Sequence, residues 1–307
     1  MFYILLLAPI SMTRIFIIFI ILTLSSCQAQ VEKQKEEKDS KEELTLTNES
    51  VLNLRDTIAQ FNEVQDSHIG YAGSPSEQYG NYEKLLGIAS DNDLCLLTKD
   101  TNYSVATYAT FGLIERNNPA FIEVFERFLA DDRRVKTMKG CMVGSDFVSS
   151  EIYHEYWNKV RLESDNEKIA LQNDKNLLKL DSLILLSDSA EWLLYDRVFN
   201  NRVFGDEYSS LIQTHAFERK NIYAIEYLFK NNLDEKQEEI IASVKEYLNK
   251  EEIWPIYYDK IFEMLLSFKQ NELNQLLVSE LKDIKKQYGD SKLNKYKKIL
   301  RENGVKI

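Results

Sequence analysis

Three histidines, a few adjacent carboxylate pairs and three cysteines are the side chains of this 307-residue chain that could do chemistry. None of His68, His154 and His215 lies at metal-ligand spacing to another His or Cys. His154-Glu155 lacks the second His that a zinc-binding His-Glu-x-x-His helix needs. His68 is the best placed of the three, because it precedes a Gly-rich turn, Gly70-Tyr71-Ala72-Gly73, and loops often carry function. That turn is no phosphate loop, since Gly-Lys-Ser/Thr is missing and no strand is expected before it. No Gly-x-Ser-x-Gly elbow is present. The pairs Asp131-Asp132, Glu238-Glu239 and Glu251-Glu252 read as exposed helix-end charges. No catalytic residue, metal site or cofactor is expected from these patterns. The thiols remain: Cys27 follows an apolar run and small residues, whereas Cys95 and Cys141 lie in the body of the chain.

The surroundings of Cys27 give it a role. Met12, Thr13 and Arg14 form a short positive start, and Ile15 to Leu22 is an apolar run. Small residues follow, and together these are the parts of a secretory signal. A run of about ten apolar residues is half of what a membrane span needs. Phe2 to Leu7 is apolar as well, so an uncleaved anchor is the alternative, but Arg14 would then sit near the membrane centre at high cost. Leu24-Ser25-Ser26-Cys27 resembles the lipobox of bacterial lipoproteins. The resemblance implies acylation of the Cys27 thiol, cleavage after residue 26, and a lipid-anchored place in the bacterial cell envelope. Cys95 and Cys141 would then be a possible disulfide in a compartment that permits one, with buried free thiols the commoner outcome.

Charge narrows the partners. The formal net charge is −11, and loss of residues 1–26 removes only Arg14, giving −12. Such a chain repels phosphate backbones, so nucleic acid is excluded. Residues 28–47 are almost without apolar side chains and read as a charged tether. As a flexible coil, about twenty residues reach roughly 25 Å on average.

Beyond residue 47 the pattern is helix after helix. Val51, Leu54, Ile58 and Phe61 are spaced three or four apart behind Ser50. Ser74-Pro75-Ser76-Glu77 reads as a capping box with Pro at the first position. Ser90, Asn102 and Asn118-Pro119 announce further starts, and Ser145-Asp146 one more. A polar stretch near 163–176 divides a first helical region, 48–162, from a second, 163–307, continuous with it or packed on it. Gly and Pro are sparse and no run alternates as a strand should, so the fold class expected is all-α.

The segment Leu94 to Leu113 resembles one HEAT-like repeat. Leu94 to Leu97 ends the first helix, Asp100 and Asn102 make the turn, Val105 opens the second helix, and Ala109 and Gly112 form its close-packed side. Ala106 stands where the family usually has Arg. Phe128-Leu129 with Asp131, Asp132 and Val135 echoes the same turn more weakly. The resemblance implies a solenoid of antiparallel helix pairs with possible binding turns at Asp100, Asn102, Asp131 and Asp132. It extends to an uncharacterised lipoprotein group from which no activity follows.

The reading is therefore a membrane-anchored helical-repeat lipoprotein acting as a protein-binding or scaffolding surface, its protein partner unknown. An immunity-type lipoprotein against a cognate toxin and a periplasmic enzyme on a helical fold are the alternatives. The enzyme would be favoured by a cleft grouping His68 or His154 with two buried carboxylates.

Overall fold

The computed structural model describes residues 46–188 and 190–307. The signal segment, Cys27 and nearly all of the charged tether lie outside the described residues. Helix α1 (Glu49–Phe61) starts where Asn48 accepts a hydrogen bond from the Ser50 amide, and it buries Val51 and Ile58. Strand β1 (Val64–Ile69) follows, then a turn and the two-residue β2 (Ser74–Pro75). Helices α2 (Glu77–Ile88), α3 (Asp91–Leu97), α4 (Tyr103–Glu115) and α5 (Ala120–Leu129) come next.

The expectation of a helix-dominated fold holds, but a small sheet is added to it. Strands β3 (Arg134–Gly140) and β4 (Met142–Phe147) join β1 and β2 in a four-stranded sheet of order β2-β1-β3-β4. β1 and β3 run parallel with Val64 opposite Thr137, while β3 and β4 form an antiparallel hairpin. Ser145-Asp146, expected to open a helix, lies in the last part of β4. The helix start expected at Ser74 also moves. Ser74-Pro75 pairs with Ile69 and His68 as an edge strand, where the missing Pro N–H costs nothing. Ser76 is the cap, accepting from the Tyr79 amide at 2.9 Å and donating to Gln65 at 2.7 Å.

The chain continues through α6 (Val148–Leu162), α7 (Glu167–Asn173), α8 (Lys175–Leu186) and α9 (Trp192–Asn201). A short stretch, Ser209–Gln213, runs into the π-helical turn Thr214–Glu218. Helices α10 (Ile222–Asn231), α11 (Leu233–Tyr247), α12 (Pro255–Ser267) and α13 (Asn271–Glu302) complete it, the last broken at Gly289, whose φ is 74°. None of the described helices is long and apolar enough to cross a membrane.

Consecutive helices pack as pairs: α1 on α2, α3 on α4, α5 on α6, α10 on α11, α12 on α13. Helix α4 is the axis of the first half. Every residue from Ser104 to Ile114 is buried, as expected of a helix covered on all sides. It touches α1, α2, α3, α5, α6, β1 and β3. Gly112 lets α3 approach, since a Cβ there would lie 3.0 Å from Leu94. The fold is thus helix-dominated with packed helix pairs, and a small sheet interrupts the series between α1 and α2 and again between α5 and α6.

A buried polar knot joins α6 to the helices that follow it. Arg202 donates to Asp181 at 2.6 Å, and Tyr153 donates to the other Asp181 oxygen at 2.7 Å. Asn201 donates to the Tyr153 hydroxyl and accepts from the Trp157 indole. The knot ties α6, α8 and α9 together around otherwise apolar contacts.

Candidate functional site

The four expected turn residues come together, but three of them are spoken for. Arg55 on α1 donates twice to Asp100, at 2.7 and 2.9 Å, and the Asn102 amide donates to Asp100 as well. Asn102 caps α4 through the Val105 amide and donates to Ala59 and Asn62. Both hold the α3–α4 turn against α1 and have little left for a partner. The second turn lies beside the first: Arg133 donates to the Tyr103 hydroxyl at 2.6 Å, and Arg127 to the Thr98 carbonyl at 2.6 Å. Asp131 is paired with Arg133. Asp132 alone is exposed without a cation, at the edge of a cavity of about 590 Å³ shared with Arg127 and Glu191.

The possible disulfide is not formed. Cys95 lies on α3 and Cys141 at the β3–β4 turn, and both thiols are free. Cys141 instead donates to the Gly70 carbonyl at 3.2 Å. His215 is fully buried at the π-helical turn and donates from Nε2 to the Leu185 carbonyl at 2.6 Å, a core histidine.

His68 and His154, distant in sequence, meet in one cleft of about 320 Å³. One wall is sheet: Gln65 to His68 of β1, and Lys139 of β3, brought alongside by the parallel pairing. The other is α6, whose Glu151, His154, Glu155 and Asn158 share a face at spacings of three and four. Tyr79 from α2 and Phe111 from α4 close the end.

The electrostatics differ residue by residue. Lys139 pairs with Glu151 at 2.6 Å and with Asp146 at 3.5 Å. Burial pushes the Glu151 carboxyl up to about 7, with Lys139 opposing. Burial also pushes Glu155 up to about 7, reinforced by the nearby Glu115 and Asp66. His154 is pushed down to about 4 by burial and then by Arg197 and Lys139, so it is neutral at pH 7. Its Nε2 accepts from Asn158 at 3.2 Å. Glu155 has neither a hydrogen bond nor an ion pair within the described residues. Among those residues no group of three or more His, Cys, Asp or Glu could hold a metal ion.

A buried carboxyl that titrates near neutrality, facing open space, can bind a cation or exchange a proton. The sequence carried part of this site, in His68 and His154-Glu155, but not the sheet that assembles it. No protein-family model matches the chain, and no match to a curated protein or a solved structure was found.

The strands lining the cleft run into two adjoining turns. The Gly70 amide donates to the Gly140 carbonyl at 3.0 Å, locking the turns side by side. Positive φ at Gly70 (77°) and Gly140 (56°) makes this geometry accessible without Cβ strain. Tyr71 on the first turn is completely exposed, and Met142 and Val143, which open β4 after the second, are 74% and 73% exposed.

Proposed function

We propose that this chain is an envelope lipoprotein, anchored by lipid on Cys27, whose HEAT-like helix pairs carry a protein-binding surface. The observation behind the binding surface is the exposed group formed by Tyr71 on one locked turn and Met142 and Val143 at the start of β4, just after the other. Single exposed apolar residues are ordinary, but several at one place favour an interface. β4, which begins with Met142 and Val143, is a sheet edge, hydrogen-bonded within the sheet on its β3 side only, which suits addition of a partner strand. The packed helix pairs support the HEAT-like reading, and the lipobox-like tetrad supports the anchor. The contact surface moves from the turns at Asp100 and Asn102 to this end of the sheet.

The test is photo-crosslinking in cells, with a photoreactive phenylalanine at position 71 and, as control, at the exposed position 302. A discrete adduct from 71 and none from 302, lost with Met142→Ser and Val143→Ser, is expected. Equal labelling at both positions refutes the surface. Cys27→Ala should release the protein from membranes or leave its precursor uncleaved; an unmodified Cys27 peptide in the mature protein refutes the anchor.

A second reading, a helical enzyme, is favoured by the cleft that groups His68 and His154 with Glu151 and Glu155. Turnover of a small substrate by the purified chain, abolished in Glu155→Gln, would establish it in place of the first.

A further inference from the structure

We propose that the cleft between β1 and α6 seats a primary ammonium or guanidinium group, the end of a Lys or Arg side chain presented by the protein partner, against Glu155. This inference rests on the protein-binding reading above. It starts from a cavity whose charge is not balanced from within. The lining holds three carboxylates, Asp66, Glu151 and Glu155, against one ammonium, Lys139. Lys139 is taken by Glu151 and Asp146. The next cation along α6, Lys159, is taken by Glu115 and Glu163. Asp66 accepts from the Gly140 amide at 3.0 Å. Glu155 is left facing the cavity with full acceptor capacity.

The same inventory sorts the possible occupants. An anion would find no free cation in the cleft and would lie beside Asp66 and Glu155. A hard metal ion wants several oxygen ligands at once, and the described residues offer no such group. An organic cation needs one carboxylate for charge and apolar or aromatic walls for its stem. Tyr79, Phe111 and Val64 supply those walls. The volume of about 320 Å³ equals roughly ten waters at about 30 Å³ each, ample for the end of one long side chain.

Position argues for a protein as the source of that cation. His68 and Lys139 line the cleft, and each lies three residues before an exposed apolar side chain, Tyr71 and Met142. Three residues span at most about 10 Å, and the turns at Gly70 and Gly140 shorten that distance. A partner seated on Tyr71 and Met142 therefore has the cleft within reach of a long basic side chain. Apolar anchors beside a pocket that takes one charged group is a common division of labour at interfaces.

The test uses the full chain with agmatine and n-butylamine as probes and n-butanol as the uncharged isostere, by calorimetry near pH 8. Both cations are expected to bind at least about tenfold more tightly than the alcohol. Glu155→Gln should weaken them at least about tenfold, and Glu302→Gln should not. Equal binding of amine and alcohol, no binding of either cation, or an unchanged affinity in Glu155→Gln overturns the inference. The position-71 crosslink is read alongside in wild type and Glu155→Gln. An adduct that is undiminished in Glu155→Gln overturns the cleft inference and leaves the partner reading standing. Amine binding without any adduct overturns the partner reading instead.

Discussion

The Lys139 ammonium on β3 meets the Glu151 carboxylate on α6 at 2.6 Å, and this pair clamps the sheet to the helix that forms the other wall of the cleft. Glu151 is only 3% exposed, so its charge has few other sources of stabilisation. Lys139→Met leaves that carboxyl unpaired and is expected to cost about 2–4 kcal/mol, less than for a fully buried pair because Lys139 is part-exposed. Burial already pushes Glu151 up to about 7, so the variant can escape by protonation. The loss should therefore be larger at pH 8 than at pH 5. Adding Glu151→Gln should recover most of it. Urea denaturation of the single and double variants checks both points, and equal stability of the two would show the pair to be uncoupled.

Glu155 gives the fold a pH dependence of definite sign. Its folded pKa is about 7, raised by burial and then by Glu115 and Asp66, above an ordinary value near 4.5. Between those values the folded state binds more protons than the unfolded state, so this group's contribution falls as pH rises from about 4.5 to about 7 and is then constant. Glu151 acts in the same direction. His154, held down at about 4 chiefly by burial, acts oppositely: stability rises with pH from about 4 to about 6.5. Glu155→Gln removes one of these three contributions. The variant should match wild type near pH 4 and exceed it by about 1–3 kcal/mol near pH 8, allowing for partial solvent access. A constant difference across that range would contradict a raised Glu155 pKa.

The helices were legible because their signals are local. Ser90 with Asp93 forms the capping box that starts α3, and Asn102 caps α4 as its residue type suggests. The sheet was not legible because its residues answer to distant neighbours. In β3 only Val135 and Thr137 point inward between cations, too short an alternation to stand out. β4 is mostly exposed and shows no alternation. In β1, Asp66-Ser67-His68 is polar and exposed because it lines the cleft. His154-Glu155 lacked a partner in sequence because its neighbours, His68 and Lys139, lie on two strands brought together by the parallel pairing, with α2 to α5 between them in the chain.

Gly112 tests the close packing of α3 on α4. A Cβ at this position would lie 3.0 and 3.1 Å from the two methyl groups of Leu94, which is itself fully buried. Alanine gains about 1 kcal/mol of helix propensity against that contact, so its net effect is small. Valine adds two methyl groups to the same closed space. Gly112→Val is expected to destabilise by about 2–3 kcal/mol, in the upper range for overpacking. Adding Leu94→Ala should relieve part of this loss. Thermal melts of the three variants provide the measurement, and purely additive losses would show that the two side chains do not meet.

Asp100 and Asp132 separate a residue that holds the fold from one available to a partner; Asp100 lies between two helices, whereas Asp132 lies between α5 and β3, so Val135, expected to echo a helix start, is in a strand. Asp100 receives two bonds from Arg55 and one from the Asn102 amide, and its side chain is 10% exposed. Burial of the carboxylate and the upward shift of the Arg55 guanidinium, due first to the bond it donates to Asp100, both describe an interaction worth keeping. Asp100→Lys would place an ammonium against Arg55 and is expected to cost about 3 kcal/mol or more, since it breaks a paired charge and adds a like one. Asp132 is exposed and has no ion pair, so Asp132→Lys should change stability by no more than about 0.5 kcal/mol. Charge reversal at Asp100 therefore reports on folding, and any loss of partner capture there follows from the disrupted α3–α4 turn. Reversal at Asp132 reports on binding alone. If Asp132→Lys weakens the position-71 crosslink while its denaturation curve overlays the wild type, the contact extends from the sheet end to the second turn. An unchanged crosslink confines the contact to Tyr71, Met142, Val143 and the cleft behind them.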